Sequence, residues 1–230
     1  MSRAPVGLRG SLVAAVRSPH AGAVLEKAIH VLGPDAADCI AAELLGHGRA
    51  MSFGSGGSCV ICALLRHAAG APRVAALTDS LLAQDLAVLC RHKFGHQVAV
   101  AVLSHGLARH RAAVIAALHC DLHRFAKHRF AAVVLQHGLI HGAAAESFSL
   151  AEGIMAQAGA VAMLACHGFG VEVVRALLQS PGAERALEYV RKSERKLRRD
   201  KYGAPLLRDV GLAGPGGSWG REAEADGQRM

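Results

Sequence analysis

Four cysteine and histidine residues have the spacing of metal ligands. Cys59 and Cys62 form a C-x-x-C motif, and Cys120 and His123 form a C-x-x-H motif. Thiolate sulfur and imidazole nitrogen are the usual zinc ligands, so these residues are a candidate zinc site. The same spacing also occurs along one face of a helix, and the segment around Cys59 has helical periodicity. We therefore predict no bound metal and no other cofactor.

The 14 histidines raise the question of acid–base or nucleophilic catalysis. The sequence contains no Ser-His-Asp or Cys-His pattern with a nucleophile turn, and the glycine-rich segment 54–57 lacks the lysine of a phosphate-binding loop. His92, His128 and His167 instead recur at a regular interval, which favours a structural role at a turn. We predict that the chain is not an enzyme.

Positive charge is the third chemical feature of the sequence. The formal net charge is +8, which favours a polyanionic partner such as nucleic acid. Residues 191–201 concentrate seven positive side chains against two negative ones. Such a segment neutralises phosphates with sequence-independent, salt-sensitive affinity, and the alternative interpretation is a solvated helix face.

The remaining composition bears on the compartment. The apolar runs are shorter than the ~18 residues of a membrane-spanning helix, so we predict no membrane partner. The six cysteines are scattered, which favours a reducing compartment and the cytoplasm. Arg3, Arg9 and Arg17 precede the first acidic residue, Glu26, and this resemblance to a transit peptide leaves a mitochondrial location as an alternative.

The elements that position these side chains repeat along the chain. Aromatic residues make up only 4% of the sequence while Ala, Leu and Arg are plentiful, which predicts an all-α fold. An aromatic residue followed by Gly or Ala recurs at Phe94, Phe130, Phe169 and Tyr202, with spacings of 36, 39 and 33 residues. Each of these aromatic–small steps precedes an apolar helical segment. Two earlier apolar segments at the same period bring the number of repeat copies to six. Such a period predicts an α-solenoid with two or more helices per repeat.

The organisation of the chain follows from this period. We predict an N-terminal extension at residues 1–7, a repeat domain at residues 8–211 and a Gly-rich disordered tail at residues 212–230. Second helices are predicted over residues 74–90 and 112–125, with turns at 70–72 and 180–182. Residues 55–57 are predicted to be a small insertion in the second copy.

The copies also contain characteristic sequence motifs. The first reads HAGAVLEKAI from residue 20, the second reads SCVICALLRH from residue 58, and the third ends in VLSHG at residue 106. These phrases resemble the fourth, fifth and sixth repeats of the Pumilio (PUF) RNA-binding family. Residues 127–142 and 167–178 resemble the seventh and eighth repeats, and residues 189–210 resemble the C-terminal cap. The resemblance covers about residues 8–211, lacks the first three repeats, and implies about five to six three-helix repeats of ~36 residues.

The resemblance also implies where RNA binds. In this family each repeat reads one base with a trio of side chains, of which the first and third contact the base edge and the second stacks on the base. The corresponding trios are Gly22, Ala23, Glu26; Ser58, Cys59, Cys62; His96, Gln97, Val100; Ala132, Val133, Gln136; and Val171, Glu172, Arg175. The predicted base-contacting residues are Glu26, Ser58, Cys59, Cys62, His96, Gln97, Gln136, Glu172 and Arg175. Weaker backbone contacts are predicted at Lys93, Arg129, Arg195, Arg198, Arg199 and Lys201.

The function implied by the resemblance is binding of single-stranded RNA in mRNA 3′-untranslated regions, for post-transcriptional regulation. No trio matches the family's pattern, and Ala23, Cys59 and Val133 stand where a stacking side chain is usual. We therefore expect weakened base specificity and a footprint of at most five bases. Two alternatives are a degenerate repeat scaffold that binds protein partners, and a sequence-independent binder of structured RNA like the family's nucleolar branch.

Overall fold

The computed structural model describes residues 12–16, 19–83 and 85–212, and within these ranges it contains helices and no strand. In chain order the helices are α1 (Leu12–Ala15), α2 (Pro19–Leu32), α3 (Pro34–Leu44), α4 (Gly48–Ser52), α5 (Ser55–Ala68), α6 (Pro72–Leu82), α7 (Leu86–Arg91), α8 (Gly95–His105), α9 (Ala108–His119), α10 (Leu122–Ala126), α11 (Ala131–His141), α12 (Ala144–Met155), α13 (Ala160–Ala165), α14 (Gly170–Leu177), α15 (Ala183–Lys192), α16 (Glu194–Leu197) and α17 (Gly203–Asp209). None of these helices is long and apolar enough to cross a membrane.

The helices form three-helix repeats that stack along one axis. Helices α2, α5, α8, α11, α14 and α17 pack in succession and form the inner row. Helices α3, α6, α9 and α12 pack in succession as the outer row, and Arg185 of α15 extends it through an ion pair with Glu152 of α12. Short helices α4, α7, α10, α13 and α16 each precede and pack on an inner helix. The predicted α-solenoid of about five to six three-helix repeats is confirmed.

The aromatic–small step marks the start of each later inner helix. Gly95, Ala131, Gly170 and Gly203 are the first residues of α8, α11, α14 and α17. A Cβ atom on Gly95 or Gly170 would lie 2.6 Å from a carbonyl oxygen of the preceding short helix, and one on Gly203 would lie 2.8 Å from such an oxygen. At these three glycines the short helix approaches the first residue of the inner helix too closely for a Cβ atom, whereas α11 begins with Ala131, which carries one.

Two predicted helices are each interrupted by an aspartate. The predicted helix over residues 74–90 divides into α6 and α7, and that over 112–125 divides into α9 and α10. Asp85 accepts hydrogen bonds from the backbone N–H groups of Ala87 and Val88 at 3.0 and 3.2 Å, and Asp121 accepts one from Arg124 at 3.2 Å. Each aspartate is thus the N-cap of a new helix, which is why the single long helices were wrong.

The predicted insertion at residues 55–57 belongs to a helix. These residues form the first turn of α5, which is 14 residues long where α8 has 11. A Cβ atom on Gly57 would lie 2.7 Å from the Cα atom of Met51, so the turn packs directly on α4. The turns predicted at residues 70–72 and 180–182 are confirmed, because α6 begins at Pro72 and α15 begins at Ala183.

A continuous apolar core runs between the inner and outer rows. One repeat position shows its regularity, because Val60, Val98, Val134 and Val173 occupy it and each is 0% exposed. Val24 holds the same position in α2 and is 68% exposed. Helix α2 is the first inner helix described, so this face of it has no inner helix packed on it within the described residues.

Both predicted terminal segments lie largely outside the described residues. Residues 1–11 include the whole predicted N-terminal extension, and residues 213–230 include the predicted tail except for Leu212. Leu212 is the last described residue, and its N–H donates to the carbonyl oxygen of Leu207 at 2.9 Å.

Candidate nucleic-acid interface

The five trios have nearly the same exposure on five successive inner helices. The second residue of every trio is exposed: Ala23, Cys59, Gln97, Val133 and Glu172. The third residue is half-buried in every trio, and the first is buried in four of them and half-buried at His96. Because the inner helices stack in order, the exposed second residues form a periodic line along one face of the solenoid. This line is the geometry that a strand with one contact per repeat requires.

The second trio combines a buried hydroxyl with an exposed thiol. Ser58 is 0% exposed, and its Oγ donates to the carbonyl oxygen of Ser55 at 3.0 Å. A ligand on this surface therefore does not reach the Ser58 hydroxyl. Cys59 is exposed, while burial and the neighbouring Cys59 raise the pKa of the Cys62 thiol to about 12. Cys62 is thus a neutral thiol at physiological pH.

The charged trio residues form ion pairs between repeats. Glu26 of α2 accepts from Arg66 of α5 at 3.2 Å. Arg175 of α14 donates to Asp209 of α17 at 2.7 and 3.0 Å, and to Glu172 at 2.5 Å. These groups are partly exposed, so each pair contributes little to stability and a ligand displaces it at modest cost. The sequence analysis missed Arg66 and Asp209, although their separations of 40 and 34 residues from their partners match one repeat.

In the third trio, the first residue, His96, is already in contact with neighbouring residues. The His96 ring stacks on Phe130 with centroids 5.0 Å apart and an interplanar angle of 24°. The Arg129 guanidinium lies over the same Phe130 ring at 5.3 Å. His96 Nδ1 also lies 3.1 Å from the carbonyl oxygen of His92. Gln97 is the exposed polar group of this trio, and Gln136 of the next trio is half-buried.

The periodic histidines hold the starts of the inner helices. Nδ1 of His92 accepts hydrogen bonds from the N–H groups of Phe94 and Gly95 at 3.2 and 3.3 Å. His128 and His167 make the same pair of bonds, and Asp200 makes it with its carboxylate before α17. An accepting Nδ1 requires the proton on Nε2 and a neutral ring. The structural role predicted for these histidines is confirmed.

One of these capping histidines has a shifted pKa. Burial lowers the pKa of His128 below its ordinary value, and the nearby cations Arg91 and Arg124 lower it further. All three influences favour the neutral ring. The neutral ring is also the form that accepts the two backbone hydrogen bonds.

Cations cover the aromatic residues at the starts of three inner helices. Lys93 lies 5.2 Å above the Phe94 ring, Arg129 lies 5.3 Å above Phe130, and Lys201 lies 4.7 Å above Tyr202. These predicted backbone-contacting residues therefore form a periodic positive edge beside the trios. The remaining step, at Phe169, has Gly168 in place of a cation, and a Cβ atom there would lie 3.1 Å from the Tyr202 hydroxyl.

The basic segment 191–201 lies on the last repeat, and all seven of its cations are exposed. Lys192 pairs with Glu188 at 3.8 Å, and Arg198 pairs with Glu194. In the part of the chain that the structure describes, Arg195 and Arg199 form no ion pair, which leaves their charge available to an anionic ligand.

The candidate zinc ligands are spread over three helices. Cys59 and Cys62 lie in α5, Cys120 follows α9, and His123 lies in α10. Among residues 12–16, 19–83 and 85–212, no three His, Cys, Asp or Glu side chains are arranged to hold a metal ion.

Solved structures with this arrangement of helices are known. PUF-8 in complex with PBE-RNA superposes with a TM-score of 0.79 at 20% identity, covering 89% of this chain and 61% of that one. The Puf3 RNA-binding domain bound to a Cox17 RNA 3′ UTR recognition sequence has a TM-score of 0.78 at 16% identity, covering 88% of this chain and 57% of that one. The chain has the Pumilio-type repeat fold.

The RNA-binding domain of yeast Puf5p bound to AAT2 RNA has the Pumilio-type fold as well. It superposes with a TM-score of 0.71 at 11% identity, covering 89% of this chain and 59% of that one. The chain thus spans about three fifths of the length of these structures. No family model matches the sequence, and comparison with curated proteins also finds no match.

Proposed function

We propose that the chain binds single-stranded RNA along the line of exposed second trio residues. The observation that carries this proposal is the repetition of one exposure pattern on five successive inner helices. Support comes from the fold, because three solved structures that share it are complexes with RNA. The physiological target we propose is mRNA 3′-untranslated sequence in the cytoplasm, with post-transcriptional regulation as the outcome.

The base specificity of this interface is weakened. Stacking of a base on an aromatic or guanidinium plane contributes about 1–3 kcal/mol, and Ala23, Cys59 and Val133 provide no such plane. Ser58 is buried, and Arg175 is paired with two carboxylates. The interface therefore reads at most five bases, with Gln97 and Gln136 as polar side chains that have no hydrogen-bond partner among the described residues.

Charge supplies the rest of the affinity. The periodic edge of Lys93, Arg129 and Lys201 and the exposed cations of the last repeat neutralise phosphates. For single-stranded nucleic acid, each neutralised phosphate adds about −0.7 to the slope of log K against log salt concentration. Binding is therefore expected to weaken steeply as salt increases.

The test is binding selection followed by fluorescence anisotropy. The purified chain is incubated with a randomised ten-nucleotide RNA pool, and the enriched sequence is compared with its scrambled version at two salt concentrations. Salt-sensitive binding with a preference of a few fold for the enriched sequence is expected. Binding without preference would favour the sequence-independent alternative, and no binding at low salt would favour a protein-interaction scaffold.

A further inference from the structure

A second periodic line of side chains follows the carboxyl ends of the inner helices. His67, His105 and His141 each lie nine residues after the first residue of their trio. With His30 of α2 and His137 of α11, they form what we call the histidine row. All five side chains are exposed or half-buried.

The row is continuous across four inner helices. The rings of His30 and His67 are 5.0 Å apart, and those of His137 and His141 are 4.7 Å apart. His105 interacts electrostatically with His67 on one side and with His137 on the other. Ser104 Oγ, beside His105, lies 2.7 Å from His137 Nε2 and links α8 to α11.

A surface groove connects the row to the trios. Between α2 and α5 lies an open groove of about 400 Å³, lined by Ala23, Glu26, Lys27, His30, Arg66 and His67. Ala23 and Glu26 belong to the first trio, while His30 and His67 belong to the histidine row. A strand whose bases lie on the trios therefore has its backbone within reach of the row.

The charge of the row depends on pH. Burial lowers the pKa of His105 and of His137, with neighbouring Arg66 and histidine rings adding to the shift. Both rings are thus neutral at pH 7.5, and they become cations only as the pH falls through these lowered pKa values.

Several of the other charged groups on adjoining helices are already paired. Arg66 of α5 pairs with Glu26 of α2, where Lys27 also faces the groove. Arg111 of α9 donates to the carbonyl oxygen of Gly106 and lies 3.9 Å from Glu146 of α12. On the far side of α11, α14 carries the paired residues Glu172 and Arg175.

We propose that the histidine row is a second contact line for RNA, which binds the phosphate backbone more tightly as the pH falls. This inference rests on the proposed function, since the trios place the strand beside the row. A phosphate next to an imidazole stabilises the protonated ring, so binding takes up protons. Each histidine whose pKa rises by one unit on binding increases the affinity in acid about tenfold.

The experiment compares affinities at two pH values. Dissociation constants for a rhodamine-labelled ten-nucleotide oligouridylate are measured at pH 7.5 and 5.5 at constant ionic strength, because uridine does not titrate in this range. The wild-type chain is expected to bind at least about tenfold more tightly at pH 5.5. In the triple variant H105Q/H137Q/H141Q this ratio is expected to fall severalfold, because three of the five rings of the row are replaced and glutamine keeps hydrogen-bonding capacity without titrating.

Two controls separate the row from general effects. The double variant H47Q/H119Q removes exposed histidines before α4 and in α9, outside the row, and is expected to keep the wild-type ratio. Far-ultraviolet circular dichroism checks that every variant is folded at both pH values. Because the readout is a ratio within one variant, an overall loss of affinity cancels.

The outcomes distinguish the two proposals. Equal binding at both pH values would overturn the role of the histidine row and leave the proposed function standing. A triple variant that keeps the wild-type ratio would also overturn the role of the row. No binding at either pH would overturn RNA binding itself, and the row with it.

Discussion

Replacing Val133 with tyrosine is expected to tighten RNA binding. Val133 is the second residue of the fourth trio and is 42% exposed, so a tyrosine there projects from the proposed RNA-facing line without disturbing the core. Stacking of one base on an aromatic ring is worth about 1–3 kcal/mol, which corresponds to a decrease in Kd of about fivefold to 150-fold. The measurement is anisotropy with the ten-nucleotide oligouridylate at fixed salt and pH.

Val88 provides the matched control for this substitution. It is also a valine, is 37% exposed and lies in α7, outside the trios. Val88→Tyr adds the same ring at a similarly exposed site, and its Kd is expected to stay within about twofold of the wild type. An unchanged Kd for Val133→Tyr, or an equal gain for Val88→Tyr, would refute the placement of bases on the second trio residues.

Three further predictions concern charge, pH and packing. The double variant Arg195→Gln/Arg199→Gln is expected to reduce the salt slope of RNA binding by about 1.4, as measured by anisotropy from low to moderate salt. Because the pKa of His128 is lowered in the folded chain, its contribution to stability is full above about pH 6.5 and is lost as the pH falls through the folded pKa. The free energy of unfolding, measured with urea at pH 7 and pH 5, should therefore decrease less in His128→Asp than in the wild type. The aspartate keeps a capping acceptor that does not titrate in this range. Gly57→Ala is expected to cost about 1–3 kcal/mol in urea denaturation because its Cβ would meet the backbone of α4. Gly70→Ala, which has open space around its Cβ, should stay within about 0.5 kcal/mol.

The repeat period made much of the fold predictable. The step at Phe94-Gly95 predicted that an apolar helix follows over residues 98–103, and α8 contains this segment but begins three residues earlier, at Gly95. The period also predicted a structural role for His92 at a turn, and the structure shows this role to be the acceptance of two backbone hydrogen bonds. Asp85 and Asp121 were not recognised as helix breaks, because the apolar pattern continues across both of them and the capping bonds are local.

The candidate site was predicted less completely than the fold. The family resemblance placed Ser58 in a trio, but its burial depends on how closely α4 and α5 pack, which periodicity does not report. The pairing of Arg175 with Asp209 and the stacking of His96 on Phe130 depend on side-chain directions across two repeats. The resemblance thus located the candidate line of side chains, while contacts between repeats determine which of these side chains are available to a ligand.

The exposed Val24 has a consequence for the motions of the array. In a solenoid, stability is a sum over interfaces between neighbours, and within the described residues α2 shares an inner-row interface with α5 alone. Val24 therefore lacks the stabilisation of about 1.5–3 kcal/mol that burial gives to the equivalent valines of later repeats. Backbone amides of α2 should therefore exchange with solvent through local opening, well before those of α8 or α11. The trio that contains Glu26 would then be the most dynamic part of the proposed RNA-facing line, and it would be the last part to become ordered when a strand binds.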